Sequence, residues 1–165
     1  MPYWLDWIKR DSKFPLPTEV SKVLMSEAEA ADGLVSGADP VGLGIEKWDR
    51  IAKAVDSISS QPLPLSYLHS LAKYIGYKTC ALCMDSKSRY ESTKGKIRYG
   101  TDKCQVCPLA AIDQCTQKGS TYDRIEELIL LPSLEVPHET EIDRMMQLSD
   151  LCKAMKANLE RLKKP

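Results

Sequence analysis

The sequence predicts a mainly α-helical fold: a single small domain with a central zinc-knuckle region and a long C-terminal helix. Three observations carry that expectation. Apolar residues recur at intervals of three and four in several separate stretches, the signature of amphipathic helices. Strand signals are confined to short pieces such as Ile97-Arg98-Tyr99. Five of the six cysteines fall within residues 80–115, as Cys80-Ala-Leu-Cys83 and Cys104-Gln-Val-Cys107 followed by Cys115.

The totals bound the answer before any element is placed. A chain of 165 residues is long enough for one domain with its own core. Its 43% hydrophobic and 28% charged content is that of a soluble globular protein. Lys and Arg total 23 and Asp and Glu total 23, so no global field draws the chain to nucleic acid or membrane. Only the cysteine-bearing stretch is basic, with 7 Lys and Arg against 4 Asp and Glu over residues 80–119. The N-terminus lacks the continuous apolar segment of roughly 7–15 residues that a signal peptide needs. No apolar run approaches the length of about 18 that suggests a membrane-spanning helix. Without export, the cysteines point to a reducing compartment, and the expected location is the cytoplasm.

Residues 1–44 read as an aromatic arm, a helix and a glycine-rich loop. Tyr3, Trp4, Trp7 and Phe14 crowd the arm, which either folds over the core or offers Trp4 and Trp7 as anchors for a partner. Thr18 and Glu19 suggest a helix start, and Val20, Val23, Leu24, Ala28 and Ala31 continue a stripe toward Gly33. Gly33, Gly37, Pro40, Gly42 and Gly44 then mark residues 33–44 as a loop or hinge.

Residues 45–131 read as a helical, cysteine-rich zinc module. Ile45, Trp48, Ile51, Val55 and Ile58 predict a helix over 43–59, with Lys47 among the charges off its stripe. Pro62 and Pro64 break it. Leu65, Leu68, Leu71 and Ile75 predict the next helix, stopped by Gly76, with His69 as a packed core residue. Ser120 and Asp123 signal a further helix start, running to Pro132.

Residues 132–165 read as a connector and the last helix, over 139–163. Its apolar positions Met145, Leu148, Cys152, Met155, Leu159 and Leu162 step by three and four, the seam of a short coiled coil. That seam packs onto the chain's own helices or, as the alternative, forms a homodimer.

Two C-x-x-C pairs about twenty residues apart have the spacing of a metal site, because each pair directs two thiolates at one ion from a tight turn. The candidate ligands are Cys80, Cys83, Cys104, Cys107 and Cys115. Zinc is the expected metal, with an iron–sulfur cluster as the lesser alternative. Four protein thiolates close the coordination sphere, so the expected role is structural. Pro108 suits the first position of a helix after Cys107. Between the pairs, Lys87, Arg89, Tyr90, Lys94, Lys96, Arg98 and Tyr99 interleave cations with tyrosines. That pattern fits phosphates and stacked bases, or a small anionic nucleotide, or merely neutralisation of a thiolate centre.

The ordered motifs Lys47-Trp48, Cys80-Ala-Leu-Cys83, Cys104-Gln-Val-Cys107-Pro108, Cys115 and Thr121-Tyr122 resemble a family of small cysteine-rich proteins encoded by bacteriophages and prophages. The family's last element is Thr-Pro-Tyr, and here the proline is missing. The resemblance spans about residues 45–124. It implies a phage origin, a metal-binding core and a host-directed accessory role. No paired-carboxylate, phosphate-loop or nucleophile signature accompanies these motifs, so no enzymatic activity is expected. The expected function is a zinc-stabilised binding protein that engages and inhibits a host protein or defence system in the bacterial cytoplasm. Nucleic-acid binding through the basic stretch and sequestration of a small nucleotide are the alternatives.

Overall fold

The computed structural model describes residues 15–62, 64–130 and 138–163. Trp4, Trp7 and the rest of the aromatic arm lie outside these residues, as does most of the connector before the last helix. Among the described residues the chain is mainly helical, with no strand.

Eight α-helices follow in order among the described residues: α1 (Thr18–Ser21), α2 (Glu27–Val35), α3 (Pro40–Ser59), α4 (Leu68–Ile75), α5 (Ala81–Lys94), α6 (Ala110–Asp113), α7 (Thr121–Leu130) and α8 (His138–Lys163). Single 3₁₀ turns at Pro64–Tyr67, Tyr77–Thr79 and Asp102–Val106 join some of them.

The first predicted helix is in fact two. Thr18 does not cap α1, whose N-cap is Pro17 with no side-chain bond. Ser26 starts α2 instead, accepting the Glu29 N–H at 3.1 Å, as a Ser-x-x-Glu start allows. The interruption lets Leu24 and Met25 turn inward while Val23, placed on the stripe from sequence, is exposed.

The predicted hinge over residues 33–44 is largely helix. Gly33 lies within α2, and Asp39 caps α3 by accepting the Val41 and Gly42 N–H groups at 3.2 and 3.1 Å. Gly42 and Gly44 are helical because α8 crosses there. A Cβ on Gly44 would stand 3.2 Å from Leu159 Cδ1, and one on Gly42 would stand 3.2 Å from Lys163 Nζ. Of the glycines in this stretch Gly37, at φ +85°, is the one that uses glycine's conformational freedom, in the turn between α2 and α3.

α3 and α8 form the spine of the fold and run antiparallel. Polar contacts at successive levels fix the direction: Lys163 to Asp39 at 3.4 Å, Lys156 to Asp49 at 2.9 Å, and Ser149 Oγ donating to Asp56 Oδ1 at 2.6 Å. Between them Ile51, Val55 and Ile58 meet Met145, Leu148, Cys152, Met155 and Leu159, all buried. Each such side chain contributes about 1.5–3 kcal/mol by leaving water. The C-terminal seam therefore packs onto α3 of its own chain, the first of the two readings that its periodicity allows.

α4 and α7 complete the core with Leu68, Leu71, Ile75, Ile125 and Ile129, and His69 is buried there as expected. α5 was not anticipated. It converts most of the basic stretch between the cysteine pairs from loop into helix, leaving residues 95–101 as the loop. Ile97-Arg98-Tyr99 is part of that loop, which Asp102 closes by accepting the Arg98 and Tyr99 N–H groups, both at 2.9 Å. No helix among the described residues is long and apolar enough to cross a membrane.

Candidate metal centre

Cys80 is the N-cap of α5, and its sulfur accepts the Cys83 N–H at 3.4 Å. A helix start gathers unpaired N–H groups and positive potential, so it favours a thiolate. A hydrogen bond from the Cys83 thiol, with the nearby Lys47 ammonium, draws Cys80 down to about 6. The same bond, with burial, pushes Cys83 up. The two thiols therefore titrate as a pair, with the helix start favouring charge on the Cys80 sulfur.

The second pair is built differently. Cys104 lies in the 3₁₀ turn Asp102–Val106, and Cys107 closes it by donating its N–H to the Cys104 carbonyl at 3.3 Å. The helix expected from Pro108 onward is only the single turn α6, so it is the first pair and not the second that uses a helix start. Cys115 follows α6 on a pinned segment. Ser120 Oγ donates to the Cys115 carbonyl at 3.2 Å, and Asp113 accepts from the Thr121 N–H at 3.1 Å and Asn158 Nδ2 at 2.8 Å. Burial pushes the thiols of Cys104 and Cys115 up, Cys115 to about 12.

All five clustered cysteines are half-buried free thiols, and the sixth, Cys152, is buried in the spine. They surround two adjoining cavities. The larger, about 450 Å³, is lined by Cys80, Cys83, Cys104 and Cys115 together with Lys47, Trp48, Lys103, Tyr122 and Glu126. The smaller, about 30 Å³, is lined by Cys83, Cys104, Cys107, Cys115, Ser86 and Lys103. Among the described residues, no three His, Cys, Asp or Glu side chains are gathered into an arrangement that could hold an ion. The donor set is nonetheless that of a thiolate metal, and the fully buried Ser86 Oγ finds no hydrogen-bond partner among the described residues. A hydroxyl so placed lacks an acceptor that a metal-bound thiolate would supply.

Sequence reasoning missed Lys47 as part of this site. It is 2% exposed, although its position off the apolar stripe of α3 predicts a solvent-facing charge. Its ammonium donates to the carbonyls of Ile75 and Gly76 at 2.9 and 3.0 Å, at the negative end of α4. Burial lowers its pKa, and the charges of Cys80, Cys83 and Cys115 oppose that fall. Its neighbour Trp48 packs edge-on against Tyr122, with ring centroids 6.4 Å apart. Burial, with the Glu126 carboxylate beside it, raises the Tyr122 hydroxyl, and burial raises Glu126 in turn. Lys47-Trp48 was visible as a motif, but no local pattern explained why a cation should be buried there.

The seven basic and aromatic candidates lie apart from these thiols. Lys87, Arg89, Tyr90 and Lys94 are on α5, and Lys96, Arg98 and Tyr99 are in the following loop. None lines either cavity. Arg89 is paired with Asp85 at 2.8 Å and Lys94 donates to Gln105 at 3.2 Å. Lys87, Lys96 and Arg98 are exposed, without an ion pair among the described residues, and Tyr99 is 72% exposed. The cations coupled to the thiols are Lys47 and Lys103 instead. No protein-family model, no curated protein and no solved structure matches this chain.

Proposed function

We propose that this protein is a non-enzymatic binding protein whose cysteine-rich half is stapled by zinc, and that its basic surface engages single-stranded nucleic acid. In the phage setting that the sequence resemblance implies, this makes it an accessory factor acting on host or phage nucleic acid. One observation carries the reading. The cations that act on the thiols are the buried Lys47 and the half-buried Lys103, which leaves Lys87 and Lys94 exposed on α5 and Lys96 and Arg98 exposed in the loop that carries the exposed Tyr99. Exposed cations around an exposed ring suit phosphates and a stacked base.

The test is binding of a fluorescent single-stranded oligonucleotide across a salt series. Four phosphate contacts give a slope of log K against log salt of about −3. Lys96→Glu with Arg98→Glu abolishes binding while leaving the melting temperature unchanged. Absence of binding at low salt, or binding indifferent to salt, contradicts the reading.

A second reading, inhibition of a host protein, is favoured by Ile142 and Met146. They lie one turn apart on α8 and are 42% and 61% exposed. Capture from a bacterial lysate that survives Lys96→Glu/Arg98→Glu but fails with Ile142→Asp/Met146→Asp selects this alternative.

A further inference from the structure

We propose that the zinc ligands are Cys83, Cys104, Cys107 and Cys115, and that Cys80 stays outside the coordination sphere as a free thiol facing the larger cavity. This rests on the zinc reading above and decides a choice that the sequence leaves open among five thiols.

The two cavities divide the cysteines. Cys83, Cys104 and Cys115 border both, Cys107 borders only the small chamber, and Cys80 borders only the large one. A chamber of about 30 Å³ has room for one small occupant. Four cysteines line it, as many as a tetrahedral zinc takes, although no three of their side chains are gathered as ligands among the described residues. The large cavity is more than ten times the size and is lined chiefly by aliphatic and aromatic side chains, so it offers an ion no enclosure.

Ser86 supplies the independent observation. Its hydroxyl is 0% exposed, has no partner among the described residues and lines the small chamber rather than the large one. One turn after Cys83 on α5, it is placed to donate to a thiolate sulfur. Neutral thiols are weak acceptors, whereas thiolates held by a cation are stronger ones, so a metal in the chamber would supply the acceptor that this hydroxyl lacks. Lys103 also lines the chamber and offsets the negative charge that four thiolates bring to a divalent ion.

Cys80 has another occupation. It caps α5 through the Cys83 N–H and faces Lys47, contacts that need no metal. Replacing it removes a cap and leaves the four sulfurs of the chamber in place.

The experiment is metal analysis of the full-length protein and its single Cys→Ser variants, with maleimide labelling mapped by peptide mass spectrometry. Wild type and Cys80→Ser are expected to carry one zinc per chain. Cys83→Ser, Cys104→Ser, Cys107→Ser and Cys115→Ser lose zinc to a chelator at least tenfold more readily. Ser86→Ala keeps the stoichiometry and weakens retention about tenfold, as loss of a hydrogen bond to a ligand does. The labelling arm uses wild type alone and so does not depend on variants folding. In zinc-loaded protein Cys80 labels while the four ligands are protected, and chelation exposes them. Zinc-bearing wild type in which Cys80 is protected and one of the four labels overturns the ligand assignment alone. Wild type that binds no metal overturns the zinc reading, and this assignment with it.

Discussion

The Lys47 ammonium donates to the Ile75 carbonyl at 2.9 Å, inside the protein, where α4 ends. A second bond to the Gly76 carbonyl at 3.0 Å places this cation between the last turn of α4 and the cysteine cluster. Buried charge survives only with such partners. Lys47→Met keeps the volume but strands two carbonyls, and it is expected to cost about 2 kcal/mol. Urea unfolding of the variant measures the loss. An unchanged midpoint shows that water replaces the ammonium and that the bonds contribute nothing net.

Gly44 and Leu159 test the crossing of the spine. A Cβ on Gly44 meets Leu159 Cδ1 at 3.2 Å, and Leu159 is buried. Gly44→Val overfills the contact and is expected to destabilise by about 2 kcal/mol. Leu159→Ala alone leaves a cavity and costs about 2–5 kcal/mol. Because the two changes act on one volume, the double variant is expected to lose at least 1 kcal/mol less than the sum, by denaturant titration. Strict additivity places the residues out of contact.

Those two positions also show why half the chain was legible. The stripes of α3 and α8 were visible because each helix meets the core along one face, and periodicity records that directly. Gly42 and Gly44 read as loop because their reason is α8, far away in sequence, and no local pattern carries it. Lys47 was hidden for the same cause: the carbonyls that accept its protons belong to α4. α5 lacked an apolar stripe, since Lys87, Ser88, Arg89, Glu91 and Ser92 face solvent over most of its surface. The clustering of the cysteines was legible from spacing. Their division between two cavities was not, because it depends on how α5 packs against the 3₁₀ turn Asp102–Val106.

Cys152 gives a pH dependence of known sign. Burial, with the Asp56 carboxylate nearby, pushes its thiol from 9.0 up to about 12. Between those values the unfolded chain releases the proton and the folded chain keeps it, so stability falls as pH rises. At pH 10 this costs about 1.4 kcal/mol, a penalty that Cys152→Ala escapes. The difference between wild type and variant in urea melts at pH 8 and pH 10 isolates the effect from the other thiols. Parallel pH profiles contradict it.

Ser26 holds the start of α2 through the Glu29 N–H at 3.1 Å. Ser26→Ala is expected to cost about 1 kcal/mol, and Ser26→Asp to retain most of it. Thermal melts of the two variants decide; equal loss in both removes the cap from the account.

The account as a whole turns on whether thiolates from both cysteine pairs grip one ion, and metal content per chain tests that most directly. Elemental analysis of protein purified without chelator or added metal is expected to return one zinc per chain. Protein that is folded and carries neither zinc nor iron contradicts it.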